Sequence, residues 1–184
     1  DCVTIYQMEI PYNTTIYKEM QASGQVTAPV ADWPTKRHWV SWAFDRFQQA
    51  GYTVNSAYTV VKDPKTVKFV YRDSLWTGAD LLSAGVASFG EFGGVHYQNQ
   101  ADVGPYMMEV DAGRLPIFRA YPTNEEERFI REFILQLKLG QLNVSGIRAK
   151  YGIDPIKRYE KALHHMQSEG FLTLSGDTIT LHRE

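Results

Sequence analysis

The chain has 184 residues, 43% of them apolar, and a net charge of −2, with a pI near 6.2. That is enough for one ordinary domain, or for one small domain plus a piece of another. It argues against a general nucleic-acid or membrane-surface binder, which would carry a basic excess. No apolar run reaches the roughly 18 residues that span a bilayer. The single cysteine, Cys2, excludes an intramolecular disulfide and fits a reducing, cytoplasmic setting.

The chain opens Asp1-Cys2-Val3, without a Met or a basic leader, and the expectation is an excised or truncated chain, or numbering that begins at the first ordered residue. Residues 3–10, rich in β-branched and aromatic types, predict a strand, stopped by Pro11-Tyr12-Asn13-Thr14. Gly24, Pro29 and Pro34 place a loop over 22–35. A helix is expected over 35–49, with Trp39, Trp42, Ala43, Arg46 and Phe47 at helical spacing and Gly51 closing it. A second strand is expected over 52–61 and a shorter one over 67–71. The small and apolar run 81–89 has little alternation, the pattern of a strand buried on both faces. This order implies α/β architecture with some parallel sheet, too little for a closed barrel.

Punctuation sharpens after Gly113-Arg114-Leu115-Pro116. Thr123-x-x-Glu126 reads as a capping box. Phe129, Ile130, Phe133, Ile134 and Leu137 then mark one helical face, ended by Gly140. Asn143 can cap a short helix that turns Val144, Ile147 and Tyr151 inward and ends at Gly152. Asp154-Pro155 starts a third helix, with Ile156, Tyr159, Leu163 and Met166 inward and Gly170 at its end. Two alternating strands follow around Ser175-Gly176-Asp177. Helix, helix, helix, hairpin is a winged-helix pattern. Its third helix offers Lys157, Arg158 and Lys161 but also Asp154, Glu160 and Glu169, and its wing only His182 and Arg183 beyond Asp177. A mixed face favours structure or partner docking over DNA.

His38, His96, His164, His165 and His182 form no metal-like pair at i, i+4. They read as surface or core histidines, with His96 as the candidate exception. Cys2 reads as a buried small apolar side chain. No catalytic residue is assigned and no metal ligand is expected. The stretch from Gly85 to Gln100 holds Gly85, Gly90, Gly93 and Gly94, which allow backbone to approach a flat or extended ligand. It matches neither the dinucleotide fingerprint nor the P-loop, and a flexible turn-rich loop is the plain alternative.

The run Asp80-Leu81-Leu82-Ser83-Ala84-Gly85-Val86-Ala87-Ser88-Phe89, continuing to Tyr97-Gln98-Asn99-Gln100, resembles the oxygen-independent coproporphyrinogen III oxidase family of radical S-adenosylmethionine proteins. The opening Ile5-Tyr6-Gln7-Met8 and Pro11 resemble a late strand of that family's barrel, and the terminal piece resembles its C-terminal domain. The resemblance implies a C-terminal part of an incomplete (β/α)6 partial barrel over 1–115, followed by a winged-helix-like α+β domain over 116–184. It implies an oxidoreductase acting on a porphyrinogen-like tetrapyrrole. In the family a 4Fe–4S cluster on three closely spaced cysteines splits S-adenosylmethionine to a 5′-deoxyadenosyl radical, which abstracts hydrogen from the substrate. Those cysteines are absent here, so a Cys-x-x-x-Cys-x-x-Cys motif is expected upstream, in the missing N-terminal half of the barrel. The isolated piece is then expected to be inactive and to hold neither cluster nor cofactor.

Carried over by the resemblance, Met8, Glu9, Gly85, Ala87, Ser88 and Phe89 would meet the cofactor. His96, Tyr97 and Asn99 would meet substrate carboxylates or tie the loop to the barrel rim. The methyltransferase and haem-chaperone branches share this layout. Tyr71-Arg72-Asp73-Ser74-Leu75-Trp76 differs from the His-Asn-x-x-Tyr-Trp form of the chaperone-like branch, which leans away from a pure chaperone. A non-enzymatic winged-helix regulator is the remaining alternative. Expected partners are the tetrapyrrole, the missing half-barrel and a second copy through an exposed sheet edge, with no nucleic acid and no membrane.

Overall fold

A computed structural model describes residues 1–11, 14–24 and 31–182. Tyr12, Asn13, Pro29 and Arg183, which enter the sequence reading, lie outside them, as do residues 25–30 of the expected 22–35 loop. The chain divides into two compact units, Asp1–Lys68 and Phe69–His182. The expected boundary at 115/116 falls inside the second unit.

The first unit holds an antiparallel sheet in the order β1-β3-β2, from β1 (Cys2–Thr4), β2 (Thr53–Ser56) and β3 (Thr59–Val61). The strand expected over 3–10 is only three residues long. Its partner β3 is equally short, so the ladder ends with Thr4 opposite Thr59 and one further bond from the Ile5 N–H to the Tyr58 carbonyl. Residues 52–61 are correspondingly a tight hairpin rather than one strand. Val60 and Val61 are fully buried, with Phe44 nearly so. Phe44 comes from α2 (Trp33–Gln49), which follows α1 (Thr15–Ala22). The α2 helix starts two residues earlier than the spacing suggests. Asp32 caps it by accepting from the Thr35 N–H, and Pro34 sits in its first turn, where a missing N–H costs nothing. Trp39 and Trp42 face outward.

The second unit begins with α3 (Val70–Trp76), where a strand was expected; Arg72 stacks over Phe69 and Trp76 at 5.4 and 5.3 Å. The presumed buried strand 81–89 is irregular. Leu82 is exposed, one isolated bridge joins Leu81 to Glu91, and positive φ at Gly85 and Ala87 interrupts extended backbone. The presumed glycine-rich loop is mostly a hairpin, β4 (Phe89–Phe92) and β5 (Val95–Asn99), turning at Gly93-Gly94. After α4 (Val103–Asp111), β6 (Ile117–Pro122) adds to β5 as an edge strand, giving the order β4-β5-β6. Every strand pair among the described residues is antiparallel. The parallel layer expected for 1–115 is not formed by these residues: β2–β3 and β4–β5 are joined by tight hairpins, and the neighbours joined through helices, β1–β3 and β5–β6, also pair antiparallel.

The remainder packs around one core. Phe129 and Phe133 of α5 (Glu125–Leu137) meet Leu142 and Val144, Ile147 of α6 (Ser145–Tyr151), Leu163 of α8 (Glu160–Ser168), and Leu172 and Ile179 of the β8–β9 hairpin (Leu172–Ser175, Thr178–Leu181). β7 (Gln141–Asn143) completes that sheet in the order β7-β9-β8. The third helix is broken at Tyr159, whose φ of −112° and ψ of 24° are not helical, into α7 (Pro155–Arg158) and α8. The break lets the Tyr159 ring stack on Phe129 and Phe133, while Met166 stays partly exposed. The capping box also sits one residue later than expected. Asn124 and Glu127 exchange the two bonds, and Thr123 instead donates its hydroxyl to the Gly94 carbonyl. No helix among the described residues is long and apolar enough to cross a membrane.

Candidate functional site

The segment 83–88 is held over β5 by side chains that accept or donate at its backbone. The Ser83 N–H donates to the Tyr97 hydroxyl at 2.9 Å, and the Gly85 N–H to the Tyr106 hydroxyl at 3.0 Å. Asn99, only 3% exposed, donates its amide to the carbonyls of Ser83 and Gly85 at 3.3 and 3.1 Å. Backbone bonds continue the attachment, from the Ala87 N–H to the Gln100 carbonyl and from the Asn99 N–H to the Ser88 carbonyl. The Ser88 hydroxyl closes the turn on the Ala84 carbonyl. Gly85 has φ of 102° and Ala87 φ of 61°. The first suits glycine; the second places an alanine in the left-handed region, which costs about 1–2 kcal/mol.

Tyr97 depends on a glycine. It lies directly opposite Gly90 across the hairpin, and a Cβ at Gly90 would stand 2.2 Å from its ring. The absence of a side chain lets the ring lie flat and reach Ser83. On the neighbouring face Phe89 is half exposed and stacks on His96 with ring centres 5.7 Å apart. The Nδ1 of His96 lies 3.4 Å from Glu91 Oε2, and Arg131 Nε is 3.2 Å from the same oxygen.

Seven of the nine residues singled out from the sequence thus fall in one structural feature: Gly85, Ala87 and Ser88 in the tied segment, Phe89 beside it, and His96, Tyr97 and Asn99 on β5. Met8 and Glu9 belong to the first unit. Met8 lines a largely apolar cavity of about 320 Å³ with Ile5, Tyr6, Lys36, Trp39 and Val40. Glu9 is exposed and does not line it. Sequence reasoning missed Tyr106, a tyrosine at the start of an unremarkable helix, and Glu91, whose burial follows from the hairpin. His182 bonds to Thr173 and to the Gly170 carbonyl, closing the base of the β8–β9 hairpin. Cys2 is exposed, not the buried small side chain expected, because its strand lies at the sheet edge.

No protein-family model matches the chain, and no curated protein matches it. Among solved structures its fold is similar to part of a radical SAM enzyme. That protein is coproporphyrinogen III oxidase (HemN) from Escherichia coli, matched with a TM-score of 0.67 and 16% sequence identity over 89% of this chain. The chain spans 41% of that protein's length. At this identity the likeness establishes a shared fold.

Proposed function

We propose that this chain is part of a radical S-adenosylmethionine oxidoreductase acting on a porphyrinogen-like tetrapyrrole, in the manner of a coproporphyrinogen III oxidase. The fold shared with HemN over 89% of the chain carries the reading, and the Asp80–Phe89 run agrees with it. Residues 1–115 are read as belonging to the catalytic part and 116–184 as a winged-helix-like domain, supported by the order α5, α6, α7–α8, β8–β9.

A 4Fe–4S cluster does not fit the residues present. The sequence has one cysteine, and no three His, Cys, Asp or Glu side chains among the described residues gather as a metal group. A cluster would have to be held by another part of the protein, and these residues carry no step through it. Their contribution is shape. The segment 83–88 offers backbone without bulky side chains and Phe89 an apolar surface; in the first unit, Met8 lines an apolar cavity of its own. Asn99 and Tyr97 act through the segment they hold. His96, with about half of its side chain exposed, is the member of its group free to meet a substrate carboxylate.

The open edge of β6 supports association with a second copy. All six of its residues are exposed and, among the described residues, only one of its edges is paired, the geometry that invites edge-to-edge pairing. Light scattering at high concentration should detect dimers, lost in Phe118→Lys; a monomer throughout would remove this part of the reading.

The catalytic reading is tested in the whole protein, with its cluster reconstituted without oxygen, by reductive cleavage of S-adenosylmethionine. Gly85→Leu should slow cleavage at least about tenfold, since Leu strains a backbone with φ of 102° and covers its approach. Cleavage at the wild-type rate by a variant with unchanged circular dichroism would leave the segment as packing alone.

A further inference from the structure

The second unit contains a polar cavity of about 320 Å³ that the proposed chemistry does not use. Its floor is Gly78, Ala79 and Asp80, and its walls are Glu91 of β4, Arg128 and Arg131 of α5, and Lys150 and Tyr151 of α6. Glu125 and Glu132 complete it. The volume lies at the small end of ligand sites, which run from about 300 to 1,000 Å³, and suits an amino-acid-sized molecule.

The two buried carboxylates differ. Glu132 is fully engaged: it accepts from Lys150 Nζ at 2.6 Å, the Tyr151 hydroxyl at 2.8 Å and Gln136 Nε2 at 2.9 Å. Gly78 makes room for that cluster, since a Cβ there would stand 2.4 Å from Glu132 Oε2. Glu91 is engaged less completely. Its side chain is 9% exposed, yet its buried Oε2 accepts no hydrogen bond. Arg131 Nε lies 3.2 Å and His96 Nδ1 3.4 Å from it, without donating to it. A buried carboxylate that lacks its donors is costly and calls for an explanation.

The bases have capacity as well. Among the described residues, Arg128 gives one terminal nitrogen to the Thr123 carbonyl and Arg131 approaches Glu91 only through Nε. Three and four positions on a helix share a face, so Arg128 and Arg131 both turn donors to the cavity. Its walls therefore combine one buried carboxylate oxygen that accepts no hydrogen bond with guanidinium groups able to grip a carboxylate in bidentate fashion. Four acids face three bases, a balance that excludes a dianion and leaves one negative charge to be met.

We propose that this cavity binds a basic α-amino acid, its carboxylate on Arg128 and Arg131 and its cationic side chain donating to Glu91, with Asp80 and Glu125 nearby. The proposal rests on this cavity alone and is independent of the catalytic reading. L-arginine, putrescine and succinate, titrated separately into the isotopically labelled chain, distinguish it from bare charge attraction. The amide signals of Ala79 and Gly94 should move saturably with L-arginine, less with putrescine, and not with succinate. Glu91→Gln should weaken L-arginine at least about tenfold, the effect of losing one charge-assisted bond. Glu125→Gln, on an exposed first turn, supplies a second variant that keeps the fold and should weaken it severalfold. Absence of saturable L-arginine binding at millimolar concentration, equal binding of succinate, or affinity unchanged in both variants would overturn the proposal.

Discussion

Ala87 is a non-glycine residue with positive φ among the described residues, at 61°, and it sits in the segment held down by Tyr97, Tyr106 and Asn99. Three tethers over-determine the conformation, which is how a strained residue persists. Ala87→Gly should therefore stabilise the chain by about 0.5–1 kcal/mol, the relief of a left-handed alanine less the added chain entropy, measured as a rise in the urea midpoint at constant slope. An unchanged or lower midpoint would show the strain to be absent. At this scale the sequence was informative about kind and less so about role. A cluster of glycines before Asn99 suggested close approach, and the structure shows that Asn99 and Tyr97 spend their polar atoms on the segment itself. Gly90 serves Tyr97 rather than a ligand, a pairing that depends on strand register and cannot be read from spacing. Glu91 and Glu132 are buried through tertiary contacts between distant segments, and no local pattern marks a carboxylate for burial.

Among the elements, the α5–β9 core was legible because its punctuation is chemical: Asp154-Pro155 at a helix start and Gly152, Gly170 and Gly176 at turns, each with positive φ. The one-residue error at the α5 cap has a physical source. Thr123 and Asn124 are both competent caps, and the Thr123 hydroxyl is taken by Gly94. The strands failed where length depends on a partner, as at β1, whose ladder stops with β3. Among the ion pairs that join elements of this unit, Arg148 of α6 makes a two-pronged bond to Asp177 at the β8–β9 turn, at 2.8 and 3.0 Å. The guanidinium of Arg148 holds the Asp177 carboxyl below its ordinary value. A carboxyl lowered on folding contributes stability that is present above the unfolded value, near pH 4, and is lost as the pH falls through the folded one. The melting temperature should thus decline on acidification below about pH 4. Asp177→Asn should melt lower at neutral pH and show a shallower decline. A parallel decline in both proteins would mean that the pair contributes nothing.

For the molecule as a whole, the antiparallel pairing and the division after Lys68 are the largest departures from the expected parallel layer, yet the likeness to HemN extends over 89% of the chain. Fold similarity therefore rests on the arrangement of elements rather than on sequence, which is 16% identical. On and between α4 and β6, Met108, Leu115 and Phe118 are all more than half exposed. A catalytic role requires the cysteines that this sequence lacks to come from elsewhere in the same protein. The most direct test is to reconstitute that whole protein without oxygen, add S-adenosylmethionine and a reductant, and measure 5′-deoxyadenosine by chromatography. The account predicts 5′-deoxyadenosine formation that coproporphyrinogen accelerates, while the 184-residue chain alone forms none; a reconstituted whole protein that leaves S-adenosylmethionine intact would contradict it.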